Sequence, residues 1–348
     1  TSQAWEWGKI GPMKTTIDTL LRPYALPGVP GASVLVSRQG EVIYQQAVGL
    51  ANLEAGTAAT TTTNYRLASV SKQFTATAVM LLAQRRQLAY ADPLPAFFAG
   101  FPAYGRAITI HHLLSHTSGL PDYEDLIPPT TQIPLKDQDV LALLQQQSRG
   151  YFSPGSAFRY SNSGYALLAL IVERISGQRF GGFLAQNIFQ PLGMAGTVAY
   201  EPGTSQVVRR AFGYHPVAEG FVRRDQSLTS SVLGDGGIYA SVEDLFRWHQ
   251  ALDCDELLSK DSRTAAWTPQ VWLPGENGRL AYGYGWFIER YGDQECHWHF
   301  GSTTGFRTAV ERFPTERLTV IVLLNRDVPH DHEMTAHHLA RQIAALYA

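Results

Sequence analysis

Both ends of this 348-residue chain read as strand and its long middle reads as helix, an order that few folds can accommodate. Gly31-Ala32-Ser33-Val34-Leu35-Val36-Ser37 and Glu41-Val42-Ile43-Tyr44-Gln45-Gln46-Ala47-Val48 flank Arg38-Gln39-Gly40, two β-rich runs around a glycine turn, which predicts a hairpin. Near the other end, Tyr284–Arg290, Glu295–Thr303, Phe306–Phe313 and Leu318–Leu324 are further β-rich runs. They are divided by turns at Tyr291-Gly292-Asp293, Thr304-Gly305 and Pro314-Thr315-Glu316. Between these groups, Phe74–Gln87, Ile110–Ser115, Asp137–Gln147 and Tyr165–Ser176 place apolar residues at helical spacing. Residues 14–26 and 331–347 predict one helix at each end, and the Pro- and Thr-rich stretch 120–136 predicts a surface loop. The expected fold is α/β of the α+β kind, one antiparallel sheet built from both termini and flanked by terminal helices. Residues 1–65 and 226–348 would form this sheet lobe, and residues 66–225 a mostly helical inserted lobe. The two would make a single functional domain with its active site in the cleft between them.

Composition excludes several partners. Net charge is −2 from 28 basic and 30 acidic residues, with no basic run, so nucleic acid and anionic membrane surfaces are poor matches. No apolar stretch reaches the length of a membrane span. The start, Thr1-Ser2-Gln3-Ala4-Trp5, does not have the pattern of a signal peptide. Cys254 and Cys296 fit no zinc spacing; a disulfide between them is compatible with the sequence and supported by nothing in it. His111 and His112, and His330, His332, His337 and His338, come without a matching carboxylate or cysteine set, so no metal and no cofactor is expected.

Three segments carry chemistry. In Ser69-Val70-Ser71-Lys72 the outer pair is three residues apart at the start of a helix, which stacks hydroxyl and amine on one face. A desolvated lysine can serve as the base that a serine nucleophile needs. Ser71 is adjacent to Lys72 and points to a different face. In Tyr160-Ser161-Asn162, a loop entering a helix, the phenol can relay a proton and the amide can fix a carbonyl or the lysine. In His299-Phe300-Gly301-Ser302 a strand runs into a glycine turn with backbone N–H groups along one edge. His116 is expected to cap a helix or pack beneath its loop, and Arg307 to be a solvated strand arginine. Trp286 and Trp298 are expected in the core, and Gly236 and Gly237 where backbones approach closely.

These motifs, in this order, resemble the penicillin-recognising serine hydrolases related to class C β-lactamases, D-Ala-D-Ala carboxypeptidases and the esterases built on that fold. Supporting texture is His116-Thr117-Ser118-Gly119-Leu120, Phe189-Gln190-Pro191-Leu192-Gly193-Met194, Gly234-Asp235-Gly236-Gly237 and Gly283-Tyr284-Gly285-Trp286, and the likeness runs from about residue 14 to 345. The resemblance implies a β-lactamase/penicillin-binding-protein-like fold and a cofactor-free hydrolase that acts through an acyl-enzyme on a small-molecule or peptide substrate. It also implies an extracytoplasmic location. Ser69 would be the nucleophile, and Lys72 and Tyr160 would share general-base and general-acid work. Asn162, His299, Gly301 and Ser302 would bind substrate, with the backbone N–H groups of Ser69 and Ser302 as the oxyanion hole. His299 stands where the β-lactamases carry lysine, which removes a fixed positive charge and favours amide, peptide or ester substrates over β-lactams. A neutral His299 would make activity rise through its own titration toward mild alkali. The alternative from another class is a penicillin-binding or peptidoglycan-sensing module that acylates without turning over. Oligomeric state does not follow from the sequence.

Overall fold

The computed structural model describes residues 10–291, 294–327 and 335–347. Its main sheet has eight antiparallel strands, in the spatial order Val271–Trp272, Leu280–Tyr282, Phe287–Tyr291, Gln294–Thr303, Phe306–Phe313, Leu318–Leu324, Ala32–Arg38, Glu41–Val48. The first strand in sequence thus pairs with the last, Ala32 opposite Leu324 and Arg38 opposite Leu318, so the sheet is closed by both ends of the chain as the strand pattern predicts. The hairpin turn is Gln39-Gly40, with φ of 55° and 85°; two consecutive left-handed residues give the twist that a two-residue hairpin requires.

Alternation sorts the side chains between two cores. Val34, Val36, Val320 and Val322 face the N-terminal Ile10–Leu21 helix and the C-terminal Thr335–Ala344 helix, packing on Ile17, Leu21, Leu339 and Ile343. Leu35, Val310, Ile321 and Leu323 face the opposite way into the larger core, which continues through the helical middle of the chain. Buried on both faces, these central strands are nearly continuous apolar runs. A small sheet pairs Tyr65–Arg66 and Val198–Ala199 with Ile238–Ala240, stitching segments from both expected lobes together.

Several boundaries differ from expectation. The N-terminal helix is Ile10–Leu21, followed by a 3-10 turn at Arg22–Tyr24, because Pro23 disfavours continued α-helix at the residue before it. The helix expected from Tyr165 begins at Asn162, where the Ser161 side chain accepts from the Gly164 N–H. The strand expected from Tyr284 begins at Phe287; Tyr284-Gly285 is a bend with Gly285 at φ 81°. Residues 120–136 are not simply surface: Leu120, Tyr123 and Leu135 are buried, and Tyr123–Leu126 forms a 3-10 turn. The C-terminal helix is Thr335–Ala344; residues 331–334 of the expected span, and Gly292-Asp293 of the expected turn, lie outside the described residues. Cys254 is exposed and Cys296 buried, and both are free thiols, so the pairing left open by the sequence is not made.

Candidate active site

Ser69 lies in a 3-10 turn, Ala68–Ser71, that runs directly into the Lys72–Gln84 helix. The strand Gln294–Thr303 passes behind it. The last pairing of that strand with Phe287–Tyr291 is Trp298 opposite Phe287, so His299–Thr303 extend beyond their neighbour and that edge is not paired by it. The Leu67-Ala68 backbone packs here: the Thr308 hydroxyl donates to the Leu67 carbonyl at 2.7 Å, and a Cβ on Gly301 would overlap that carbonyl. Gly236 approaches Ala68 from another direction, its Cβ position 3.4 Å from the Ala68 carbonyl carbon. Only glycine permits this closeness at 301.

Lys72 is fully buried, and its ammonium has three acceptors: Ser69 Oγ at 3.1 Å, Asn162 Oδ1 at 2.8 Å and the Asp235 carbonyl at 2.9 Å. Burial pulls the amine down to about 8, and Asp235, Glu124 and Asp122 oppose the fall. Two of the three partners are carbonyl oxygens, which only accept. When the amine loses its proton, Ser69 is the one group of the three that can donate to the lone pair. The tripod therefore directs the free base at the hydroxyl it would activate.

Tyr160 packs over this group, with Lys72 Nζ 4.9 Å from its ring centre. Burial pushes the phenol well above its ordinary value, with the nearby Ser69 hydroxyl pulling the other way. The phenol oxygen itself has no hydrogen bond of ordinary geometry. Asn162 is fixed from both sides, its Oδ1 accepting from Lys72 and its Nδ2 donating to Glu124 Oε1 at 3.2 Å.

His299 is buried; its Nδ1–H donates to the Phe300 carbonyl at 2.8 Å, leaving Nε2 to accept from the Tyr282 hydroxyl at 3.2 Å. Burial, with Lys72 nearby, pushes the imidazole down to about 3. It is therefore neutral, as the sequence suggests, but the expected rise of activity through His299 titration is corrected: this group does not titrate near neutrality. Arg307 is not solvated; it is buried, and its Nη1 donates to the carbonyls of Thr303 and Phe306 at 2.8 Å each, tying down its own hairpin turn. His116 sits beneath the Tyr160 loop, ring centres 4.2 Å apart, and accepts from the Ser161 N–H at 3.1 Å. Trp286 and Trp298 are in the core.

Ser69, Tyr160, Asn162, His299 and Ser302 line one cleft of about 460 Å³. Gly301 stands behind it, against the Leu67-Ala68 backbone. Phe158, Leu273, Phe287 and Phe300 form an apolar wall of the cleft, and Glu124 joins its polar side. A smaller notch adds Arg66, Thr229, Asp235 and Gly236 around the same serine. Sequence reasoning missed Glu124, Asp122, Tyr123 and the Asp235 carboxylate. Glu124 sits in a loop without local pattern, while Asp235 lies in a quoted glycine motif whose acidic member was the available clue. Among the described residues no group of three His, Cys, Asp or Glu side chains is placed to hold a metal ion; His330 and His332 lie outside them. No described helix is long and apolar enough to cross a membrane.

Comparison with known proteins gives the same picture across the chain. A penicillin-binding protein of Bacillus subtilis is 32% identical over 346 residues, covering 95% of this chain and 75% of that protein. A D-aminopeptidase of Brucella ovis is 32% identical over 305 residues, and this chain spans 56% of its length. The crystal structure of a penicillin-binding protein from Bacillus halodurans superposes with a TM-score of 0.81 at 29% identity, covering 95% of this chain and 98% of that one. The sequence profile of the beta-lactamase family matches residues 17–345, and the chain belongs to that family of serine hydrolases.

Proposed function

We propose that this protein hydrolyses amide, peptide or ester substrates of the D-peptidase or esterase type through an acyl-enzyme at Ser69. The observation that carries the reading is the buried Lys72 amine 3.1 Å from Ser69 Oγ, brought down to about 8 and held by two groups that cannot take its proton. In the first step the Lys72 amine accepts the Ser69 proton as Oγ bonds to the substrate carbonyl carbon. The oxyanion forms against the backbone N–H groups of Ser69 and Ser302, a contribution of roughly 3–4 kcal/mol where one such donor is removed. Tyr160, whose phenol stays protonated at neutral pH, passes a proton to the leaving group and recovers it from Lys72. Water then attacks the acyl-enzyme by the reverse relay.

The cleft favours a substrate without a carboxylate next to the scissile bond. His299 is neutral, Lys72 is spent on its three acceptors, and Glu124 contributes a carboxylate. A free amine near Glu124 and an apolar side chain on the Phe158, Phe287 and Phe300 wall fit these surfaces, and the likeness to a D-aminopeptidase supports the amine. The test is Ser69→Ala on a short p-nitrophenyl ester and on D-alanine p-nitroanilide, with intact-mass detection of the adduct. Turnover at the wild-type rate, or an adduct on another residue, would refute the nucleophile. N-acetylation of the anilide should cost at least tenfold in kcat/KM, and Glu124→Gln should erase that preference.

The second reading, acylation without turnover, is favoured by the likeness to penicillin-binding proteins. Stable labelling by a fluorescent penicillin, with no release and no turnover of esters or anilides, would select it.

A further inference from the structure

We propose that Asp235 is a positioning residue for the acylation base, its backbone carbonyl holding the Lys72 amine and its carboxylate keeping that amine in charge balance. The inference rests on Lys72 acting as the base, and it concerns a group that no motif assigns.

The Leu233–Gly236 helical turn is wedged between the Lys72–Gln84 and Asn162–Ser176 helices, where a Cβ on Gly234 would overlap the Tyr165 carbonyl. Every face of the turn is tied. Asp137 accepts from the N–H groups of Leu233 and Gly234 at 2.9 and 3.0 Å. The Thr75 hydroxyl donates to the Gly234 carbonyl at 2.7 Å, and Arg66 Nε to the Gly236 carbonyl at 3.3 Å. The Asp235 carbonyl is thereby presented to Lys72 Nζ at 2.9 Å. The side chain of the same residue, 7% exposed, accepts from the buried Tyr123 hydroxyl at 2.9 Å. Tyr123 is in turn anchored through its N–H to Ser163 Oγ at 2.8 Å.

Burial pushes the Asp235 carboxyl up from its ordinary value, and Lys72, the Tyr123 hydroxyl and Arg66 oppose that rise, with Lys72 the foremost charged neighbour. The other groups around Lys72 do not replace it. Tyr160 and Tyr165 present ring faces, His116 and His299 are neutral, with Lys72 itself disfavouring their protonation, and Asn162 and Ser69 are uncharged. Glu124 and Asp122, from the loop, are more exposed and act less strongly on the amine. Asp235 is the principal counter-charge.

The test is the pH dependence of acylation, followed as adduct formation or kcat/KM. Asp235→Asn keeps shape and can still accept from Tyr123, but removes the charge. Its rising limb should move about one pH unit toward acid, because the Asp235 charge favours the protonated amine and its loss lets burial act with less opposition. Asp235→Glu should restore the wild-type midpoint, even if the rate falls. Tyr123→Phe, which leaves the carboxylate without its phenol donor, should move the limb the same way by less, and it serves if Asp235→Asn does not fold. A midpoint unmoved in Asp235→Asn, or in Tyr123→Phe where Asp235→Asn does not fold, overturns the inference, whatever happens to the rate. Ser69→Ala in the same series separates the two claims: if it retains turnover, the acyl-enzyme reading fails, whereas an inert Ser69→Ala beside an unmoved Asp235→Asn limb sinks only the Asp235 role.

Discussion

The sharpest consequence of the site is the pH dependence of acylation. A lysine at its usual 10.5 is free base in about 0.03% of molecules at pH 7, whereas an amine at about 8 is free in roughly 10%. The difference is worth about 3 kcal/mol, most of it the desolvation of the ammonium. Activity limited by this amine should rise tenfold per pH unit up to a midpoint near 8, so that at pH 6 it stands near one hundredth of the plateau. His299, at about 3, contributes nothing to the profile between pH 5 and 9. The assay is kcat/KM for a short p-nitrophenyl ester from pH 5 to 10, corrected for spontaneous hydrolysis, on the wild type and on His299→Gln. The variant should change amplitude and keep the midpoint. A midpoint between 6 and 7 that disappears in His299→Gln would refute the argument, as would a flat profile.

Tyr160→Phe should lower kcat by 10²-fold or more while thermal stability changes little, because the buried hydroxyl it deletes makes no hydrogen bond of ordinary geometry; a fall in Tm of several degrees would contradict the second half. Lys72→Met tests the buried amine by linkage. Its folded pKa lies below its unfolded value, so the unfolded chain binds the extra proton between about 8 and 10.5, and this contribution to stability rises with pH. In urea melts the wild type should gain about 3 kcal/mol on the variant from pH 7.5 to 10.5, and a constant difference would rule the shift out. Gly301→Ala should cost about 2–3 kcal/mol or more and abolish activity, since its methyl meets the Leu67 carbonyl. Gly177→Ala, at the left-handed end of the Asn162–Ser176 helix with open space around it, should cost only about 1 kcal/mol and leave kcat alone.

What was legible in the sequence is what short-range pattern encodes. Ser69 and Lys72 share a turn, and the nearly unbroken apolar, β-branched run Leu318–Leu324 identifies a central strand. The short strands Val271–Trp272, at one edge of the sheet, and Leu280–Tyr282, beside it, escaped because two or three residues show no period, yet Leu273, next to the first of them, lines the cleft. Tyr123 and Asp235 meet across 112 residues of sequence, a contact that no local rule announces. His299 was legible as a neutral group but not as one beyond titration. Its shift comes from burial against Tyr282, Tyr160 and Phe287, which only packing supplies.

The same packing explains how the chain sustains a site that breaks local rules. Ala68, the residue before Ser69, has φ of 49°, and His116, beneath Tyr160, has φ of 58°; each non-glycine left-handed residue costs on the order of 1 kcal/mol. The buried Lys72 amine, 3.1 Å from Ser69 Oγ, adds the cost of its desolvation to these. Glycine at 68 would relieve one of these costs, but it would also free the peptide that sets the direction of Ser69. An alanine clamped between Gly301 and Gly236 is stiff in a way that glycine is not: the bare backbones on either side leave it no other place to go. At Ala68 the strain falls on a residue whose position the chemistry needs, and the absent side chains at 236 and 301 hold it there.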